Sequence, residues 1–599
     1  MNTAQLFRQA IAKQLSIKTS CNEAHALKLL GVPKVSNHGQ FSIPIPRLLP
    51  QESNANLTCQ TIVSKIEPNE WISKVTAKGP FLHFDINLSK YIQNTLQQVH
   101  IQGKRYGTKN KDMFKTSSPP TVAIDYSSPN IAKPFHAGHL RSTILGSFIK
   151  RSHEALGYRV IGINYLGDWG KQYGLLAVGY EKYGVEEKLM KDPIHHLYEI
   201  YVAINKEACM DNKIDKMAND YFKRMEQGDQ EALTQWKRFR DLSITSYQTM
   251  YQRLNIHFEE YSGESQTEKY IQQVYDVLEA KQLLKKKVDE NGTWWWIDLE
   301  PYGLGKPVIR RADGTTLYIT RDIASLMLRS EKYAFDKAIY VVGTEQSLYL
   351  QQLFKIWELI HDQQQELYHA NFGRIQGMST RKGTVVFLQD ILDTAKEKMM
   401  ENMKQDGHKY KELMDYGIQK KMNDEEECQL KGAEAVEYVA DQLGTSAVII
   451  QDMIAKRIKN YTFSWERMIS SRGYTGVYLQ FTYARLCGIE RNNVHLLQHQ
   501  NQPIDSKLLL QSKEAIDLVL IISQYPDILQ QSCDAMEPCT LVQYLFKLSH
   551  SISQAVSTLR VKDVSDIELA TSRMILFSAA KITLANGLSV LGIDPLERI

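Results

Sequence analysis

The period of the apolar positions changes along the chain, and each change marks a different kind of structure. Leu6, Phe7, Ile11 and Leu15 fall at helical spacing. A Pro-rich stretch follows at Phe41-Ser42-Ile43-Pro44-Ile45-Pro46-Arg47, and Gly79-Pro80-Phe81-Leu82-His83-Phe84 reads as a turn and strand. Residues 1 to about 117 are therefore expected to form a small α+β domain, with a polar Lys/Ser/Pro-bearing linker over Gly103 to Pro120. Beyond it Val122, Ile124 and Tyr126 alternate as in a strand, and Ile144, Leu145, Phe148 and Ile149 recur at helical spacing within Leu140 to Leu156. Arg159 to Asn164 reads as the next strand. Strand, glycine loop, helix and strand make a βαβ unit.

Strands and helices go on alternating to about residue 410, and Ala338-Ile339-Tyr340-Val341-Val342-Gly343 predicts a buried strand leading into a helix near Glu345. The expectation is an α/β protein with a doubly wound parallel sheet, interrupted by a largely helical insertion at roughly 175–300. Trp294-Trp295-Trp296, inside that insertion, reads as packing. From Lys411 strands become scarce, helical patterns run to the end, and no internal repeat is evident.

Composition narrows the class without naming it. At 43% hydrophobic and 23% charged residues, 599 residues suit several domains with a large buried core, and no apolar run approaches membrane-span length. A net charge of +4 does not demand nucleic acid, so any such contact would come from a local basic surface. Lys456-Arg457-Ile458-Lys459-Asn460-Tyr461-Thr462-Phe463-Ser464-Trp465 mixes cations with aromatics. It reads equally as a phosphate-and-base contact or as a helix end followed by core aromatics. Seven cysteines are scattered singly with no C-x-x-C, which suits free thiols in a reducing compartment. Met1 to Ser20 holds Arg8, Lys13 and Lys18 and no acid, compatible with a mitochondrial presequence or with a structural amphipathic helix.

Candidate chemistry sits where the first βαβ helix begins, at His136-Ala137-Gly138-His139. A helix N-terminus exposes unpaired N–H groups and the positive end of its dipole, so phosphate is welcome there. Gly138 would admit a ligand close to the backbone, and His136 and His139 can donate to phosphate oxygens. The pair also reads as two ordinary loop histidines, or as zinc ligands, although no cysteine lies near and no third ligand is evident. Downstream, Gly373 to Leu388 reads GRIQGMSTRKGTVVFL, in which Arg381 and Lys382 are adjacent cations between apparent strands. Alone, they read as solvated surface charges.

Together these two segments resemble the HIGH and KMSKS signatures of class I aminoacyl-tRNA synthetases, which clamp ATP from opposite sides. Ser127-Ser128-Pro129-Asn130-Ile131-Ala132-Lys133-Pro134, Asp313-Gly314-Thr315-Thr316-Leu317-Tyr318-Ile319-Thr320-Arg321-Asp322 and the C-terminal Asn586-Gly587-Leu588-Ser589-Val590-Leu591-Gly592-Ile593-Asp594 sharpen the likeness. They are similar to arginyl-tRNA synthetases, in that family's order and across essentially the whole chain. The resemblance implies a tRNA-elbow domain at 1–117 and a Rossmann-type catalytic domain at 118–410. It further implies a helical connecting region that contacts the tRNA stem at 411–470 and an anticodon-binding helical bundle at 471–599, beginning near Tyr474. It also implies ATP-dependent activation of L-arginine to an arginyl-adenylate with release of pyrophosphate, then transfer to the terminal adenosine 2′-hydroxyl of tRNA(Arg), with bound tRNA required for activation. Mg2+ would arrive with ATP and no protein metal site is expected. A monomer with no membrane contact is expected, in the cytoplasm in preference to the mitochondrial matrix or both.

The same resemblance assigns roles. His136 and His139 would stabilise the phosphates and the pentacovalent centre, with Arg381 and Lys382 closing on the β and γ phosphates. Gly138, Met378 and Ser379 would complete the ATP site. The loop departs from KMSKS, since no lysine precedes Met378 and Thr380-Arg381 stands before Lys382. Lys133, just upstream of HAGH, occupies the place of a compensating lysine. The guanidinium of arginine calls for carboxylates, and the resemblance points to Asp322 with Tyr318, which share one face if a helix starts near Thr320. Glu264 is a further candidate. Asn130, Gln346, Asp125 and His139 would hold the amino-acid end over a floor of Ser128 and Pro129. Relatives often carry glutamate at the position of Asp125, so its shorter arm would call for a bridging water. Two other readings remain: an H-x-G-H nucleotidylyltransferase, and a non-catalytic paralogue that binds tRNA. Chain length and the DGT-x-L-Y segment oppose the first, and the joint presence of His136, His139, Lys382 and Asp322 opposes the second.

Overall fold

A computed structural model describes residues 2–33, 38–109, 118–131, 135, 137–289, 292–311, 317–362, 364–377, 388–421, 427–470, 473–497 and 505–599. Three strands, β1 (Phe41–Pro44), β2 (Ile72–Lys78) and β3 (Phe81–Ile86), form an antiparallel sheet of order β1-β3-β2 near the N-terminus. The helix Thr3–Thr19 begins with a capping box between Asn2 and Gln5. Its predicted apolar stripe is buried at Phe7, Ile11 and Leu15.

The central sheet is built from β4 (Thr121–Asp125), β5 (Arg159–Leu166), β6 (Glu260–Gly263), β10 (Lys337–Tyr340) and β11 (Glu366–His369). Its order is β11-β10-β4-β5-β6 and every pairing is parallel. Parallel sheets are covered on both faces, which is why β4 reads as the unbroken run Val122-Ala123-Ile124. The chain leaves β4 towards β5 and β6, then crosses to β10 on the other side. The crevice at the carboxyl ends of β4 and β10 is thus a topological switch point, where such sheets bind ligands.

Because side chains alternate along a strand, the two faces carry different partners. Val122, Ile124, Tyr126, Ile339 and Val341 share a core with Ile144, Leu145, Phe148 and Ile149 of the helix Ala137–Ala155. Gly146 is needed there, since a Cβ would lie 2.2 Å from the Tyr126 ring. Ala123, Ile163, Ala338 and Tyr340 pack instead with Ile319, Ile323 and Leu326 of the helix Tyr318–Tyr333 and with Leu350, Leu353 and Trp357 of the helix Ser347–Ile360.

The structure departs from the sequence reading in three places. The helical insertion fills the space between β5 and β6 with helices from Lys171–Tyr183 to Gln230–Arg253, so it ends near residue 253 rather than 300. The strand that follows, Glu260-Tyr261-Ser262-Gly263, is a short sheet edge with no apolar run, and so left no periodic signal. Trp294, Trp295 and Trp296 lie in a three-stranded antiparallel sheet made by β7 (Leu284–Asp289), β8 (Gly292–Ile297) and β9 (Val308–Arg310). They are half-buried there, with Arg310 over the ring of Trp295 and Lys306 over that of Trp296. The expected connecting region also contains a hairpin, Ile418–Lys421 with Glu427–Leu430.

The C-terminal region is helical and docks on the rest at several points. Asn2, which caps the first helix, and Arg8 within it both reach Asp527 in the helix Tyr525–Ala535. Asn586 donates to the carbonyls of Gly103 and Tyr106 at 3.0 and 3.2 Å, and Asp594 accepts from Asn255 at 3.1 Å. The C-terminal motif therefore makes joints between the bundle and the regions before it.

Candidate functional site

The floor of the crevice is a turn of two left-handed residues, Ser127 (φ 71°) and Ser128 (φ 38°). Such backbone costs about 1–3 kcal/mol per residue and persists only where its surroundings fix it. Here the Ser127 N–H donates to Ser142 Oγ at 2.9 Å, and Ser142 Oγ donates to the Val341 carbonyl at 2.7 Å. Ser127 Oγ lies 2.6 Å from Thr143 Oγ1, whose own proton goes to the His139 carbonyl, and 2.7 Å from the Tyr251 hydroxyl. Ser128 Oγ donates to Asp125 at 2.6 Å and accepts from the Tyr165 N–H at 3.1 Å. Pro129 is buried behind them. Asn130 forms a bridge with Gly167, where a Cβ would stand 1.9 Å from Asn130 Oδ1.

On one face of the sheet the helix Ala137–Ala155 presents its N-terminus, with Gly138 exposed and His139 half-buried beside the Phe135 ring. His136, Lys133, Met378, Ser379, Arg381 and Lys382 lie outside the described residues. Two residues beyond His139, the fully buried Arg141 donates to the carbonyls of Gly373 and Lys459 at 2.6 and 2.9 Å. It also pairs with the buried Asp452 at 3.3 Å, whose carboxyl burial raises to about 6. The signature helix is thereby tied to the strip preceding Met378 and to the Lys456–Trp465 segment. Within that segment Arg457 is turned inward, donating to the Asn371 carbonyl and pairing with Glu537, while Lys456 and Lys459 are exposed. The structural reading therefore holds for Arg457, and exposed cations remain beside it.

The other face holds an acidic pocket. Asp322 lies in the second turn of its helix, half-buried, and accepts a hydrogen bond from the Tyr349 hydroxyl. Burial pushes its carboxyl up to about 6, against the pull of Tyr349 and Arg329. Glu264 is raised to about 7 by burial, with Arg321 at 3.1 Å pulling it down and Asp322 and Asp168 pushing it further up. Its turn is fixed by the buried Asp168, which accepts from the Ser265 N–H, Ser265 Oγ and Arg240. Asp125 accepts from the buried Arg329 at 2.6 Å, and that guanidinium sits 5.0 Å from the Tyr165 ring and 5.5 Å from the Tyr340 ring. Burial opposes the charge of Arg329, but Asp125 and the surrounding oxygens more than restore it.

The sequence-predicted residues thus separate into groups. Asp125, Ser128, Pro129 and Asn130 form the crevice floor, and Asp322 and Glu264 come together in the acidic pocket. Tyr318 starts its helix two residues earlier than expected and is 71% exposed. Gln346 is exposed at the expected strand-to-helix junction. The role expected for Asp125 changes, because its two oxygens are engaged by Arg329 and Ser128. A substrate ammonium would meet a neutral pair rather than an open carboxylate.

Arg329, Tyr349, Tyr165 and Asp168 were not anticipated. Arg329 stands seven residues after Asp322 on the same helical face, a signal that periodicity offers. Tyr349 and Asp168 are brought in from distant segments and left none.

Raised carboxyls make cation binding proton-linked. A guanidinium favours the ionised form, so binding lowers the carboxyl pKa and expels whatever protons the free pocket holds. At pH 8 both groups are ionised; between pH 7 and 6 they take up protons in turn. The expected result is a KM for a guanidinium substrate that rises as pH falls through this window, with protons released on binding near pH 6.5. Calorimetry in two buffers of different ionisation heat measures that release, and none would show that neither carboxyl meets the ligand.

Among the described residues no three His, Cys, Asp or Glu side chains gather as a metal site, and no helix is long and apolar enough to cross a membrane. Comparison with known proteins adds to this geometry. Residues 96–465 match the family model of tRNA synthetases class I (R), catalytic domain, and residues 479–599 match the DALR anticodon binding domain. A probable cytoplasmic arginine–tRNA ligase of Dictyostelium discoideum is 42% identical, over 99% of this chain and all of that protein. The cytoplasmic arginine–tRNA ligase of Saccharomyces cerevisiae is also 42% identical, over the whole chain and 95% of its own length. The mitochondrial arginine–tRNA ligase of that yeast is 38% identical, over 99% and 89%. In fold, the crystal structure of the Plasmodium falciparum arginyl-tRNA synthetase superposes with a TM-score of 0.76, covering all of both chains at 22% identity.

Proposed function

The chain belongs to the class I arginyl-tRNA synthetases of eukaryotic type, and from that premise we propose how its crevice divides the work. ATP, arginine and tRNA are the substrates of this family. ATP lies against the open N-terminus of Ala137–Ala155, and the arginine side chain passes over the carboxyl edge of β4 into the acidic pocket on the opposite face. The observation that carries this reading is Asp322: Glu264 is paired with Arg321 and Asp125 with Arg329, whereas among the described residues Asp322 has no cation partner. A carboxylate partly withdrawn from water without a cation is a place for one.

In the first step a carboxylate oxygen of arginine attacks the α-phosphorus of ATP. The bond to the bridging oxygen breaks, and pyrophosphate leaves with the electron pair. His139 and the helix N–H groups face the charge that gathers on the phosphate oxygens, so the contribution is positioning and electrostatic stabilisation. His136, Lys133, Arg381 and Lys382 are assigned to the same phosphates, with Gly138, Met378 and Ser379 along the nucleotide. Asn130 and Gln346 face the amino-acid end. In the second step the 2′-hydroxyl of the terminal adenosine attacks the adenylate carbonyl, AMP leaves with the electron pair, and the hydroxyl proton passes to the departing phosphate or solvent. Mg2+ enters as part of the nucleotide complex and neutralises phosphate charge.

Residues 1–117 are assigned to the tRNA elbow, 411–470 with exposed Lys456 and Lys459 to the stem, and 471–599 to the anticodon. The protein acts as a monomer, and activation waits on bound tRNA. Relatives serve both cytoplasm and mitochondria; we favour the cytoplasm, because the two relatives at 42% identity are cytoplasmic ligases. Neither the nucleotidylyltransferase nor the non-catalytic reading gains support from relatives that match as ligases over their full length. The test is exchange of labelled pyrophosphate into ATP, with arginine or lysine, with and without tRNA. Exchange with arginine plus tRNA alone is the expected result; tight tRNA binding without exchange under any condition would overturn it.

A further inference from the structure

Among the described residues the Tyr165 hydroxyl, in the acidic pocket, has no hydrogen-bond partner. Tyr165 is the penultimate residue of β5, paired in register with Ser262 two residues before Glu264. It shares the sheet face that carries Asp125 and Tyr340, and Arg329 packs over its ring. Its backbone is held by Ser128 Oγ, yet its hydroxyl is sealed from solvent and makes no hydrogen bond. The neighbouring hydroxyls differ: Tyr349 donates to Asp322, and Tyr340 accepts from Arg329 at 3.2 Å. A buried unpartnered hydroxyl costs about 1–3 kcal/mol, and one in a ligand pocket marks a missing partner.

Building on the assignment of this pocket to the arginine side chain, we propose that Tyr165 is a specificity-determining residue whose hydroxyl receives one guanidinium nitrogen while Asp322 receives another. Burial, with Asp322 and Glu264 nearby, holds its phenol well above the ordinary value, so it stays neutral and can accept an N–H. Arg329, locked on Asp125, fixes the ring from above and makes the hydroxyl's place independent of the substrate. A guanidinium spreads its donors over a plane and bridges two acceptors through different nitrogens, whereas the ammonium of lysine is a single point. Two acceptors of different charge, one on β5 and one on the helix Tyr318–Tyr333, therefore read the width of the planar group as well as its charge. The Tyr165 hydroxyl is covered in the ligand-free state, whereas Asp322 is only half-buried beside it.

Steady-state aminoacylation with full-length Tyr165→Phe, Tyr340→Phe and Asp322→Asn tests this. Phenylalanine keeps the ring beneath Arg329 and removes only the hydroxyl. Tyr165→Phe is expected to raise KM for arginine about tenfold, to leave KM for ATP and tRNA within about twofold, and to weaken discrimination against lysine; Tyr340→Phe serves as the control for disturbance of Arg329. An unchanged KM for arginine in Tyr165→Phe, an equal rise for all three substrates, or the same arginine effect in Tyr340→Phe would overturn the proposal. If Asp322→Asn also left KM for arginine unchanged, the assignment of the pocket itself would fall; if only Tyr165→Phe were silent, the failure would be confined to this inference.

Discussion

Asp322→Asn is expected to raise KM for arginine by roughly 10²–10³-fold, with KM for ATP nearly unchanged. Asparagine keeps the shape of the side chain and an acceptor for the Tyr349 hydroxyl, so the change is almost purely one of charge. Truncating one partner of a charge pair withdrawn from water typically costs about 2–5 kcal/mol, and the middle of that span corresponds to the expected rise. The other carboxylates should behave differently. Asp125→Asn would leave Arg329 buried without its counter-ion, a defect about 3–5 kcal/mol deep that appears first in stability. Steady-state kinetics with thermal unfolding on both variants separates the cases. Equal effects on stability and none on arginine would remove Asp322 from the site.

His139→Ala is expected to slow adenylate formation by about 10²–10³-fold while arginine binding stays close to normal. The basis is the cost of removing one preorganised donor from a site where charge develops, about 2.7–4 kcal/mol. His139 sits in the first turn of its helix, and its carbonyl is held by Thr143 Oγ1 at 2.6 Å. The imidazole is the part lost, and the helix N-terminus stays. Single-turnover formation of arginyl-adenylate reads the step directly. A variant that formed adenylate at the normal rate but bound tRNA poorly would place His139 outside the chemistry.

The sheet was legible where burial on both faces forces apolar runs. Val122-Ala123-Ile124 and Ala338-Ile339-Tyr340 announced β4 and β10, and with them the switch point. β6 escaped because an edge strand of four residues needs no such run. The site divides in the same way. Asp322 and Asn130 lay in motifs, whereas the groups that condition them came from elsewhere. Arg329 neutralises Asp125 across 204 residues, and Asp168 reaches Ser265 across 97. Whether a carboxylate stands open or already paired is a property of such long-range contacts, and no local pattern encodes it. That is why the motif alone presents Asp125 as an open ligand group.

The contacts of the first helix with Asp527 also have a consequence in time. Asn2 and Asp527 are separated by 525 residues. At a synthesis rate of about 5–20 residues per second, that separation corresponds to roughly half a minute to two minutes on the ribosome. During that interval the segment around Asn2 has its own core but lacks the helix on which it will dock. Tyr91 and Tyr106 wait likewise for Ser523 and the Ile522 carbonyl. The newborn chain therefore carries an open docking face until the helix Tyr525–Ala535 has been made and meets the helix Thr3–Thr19.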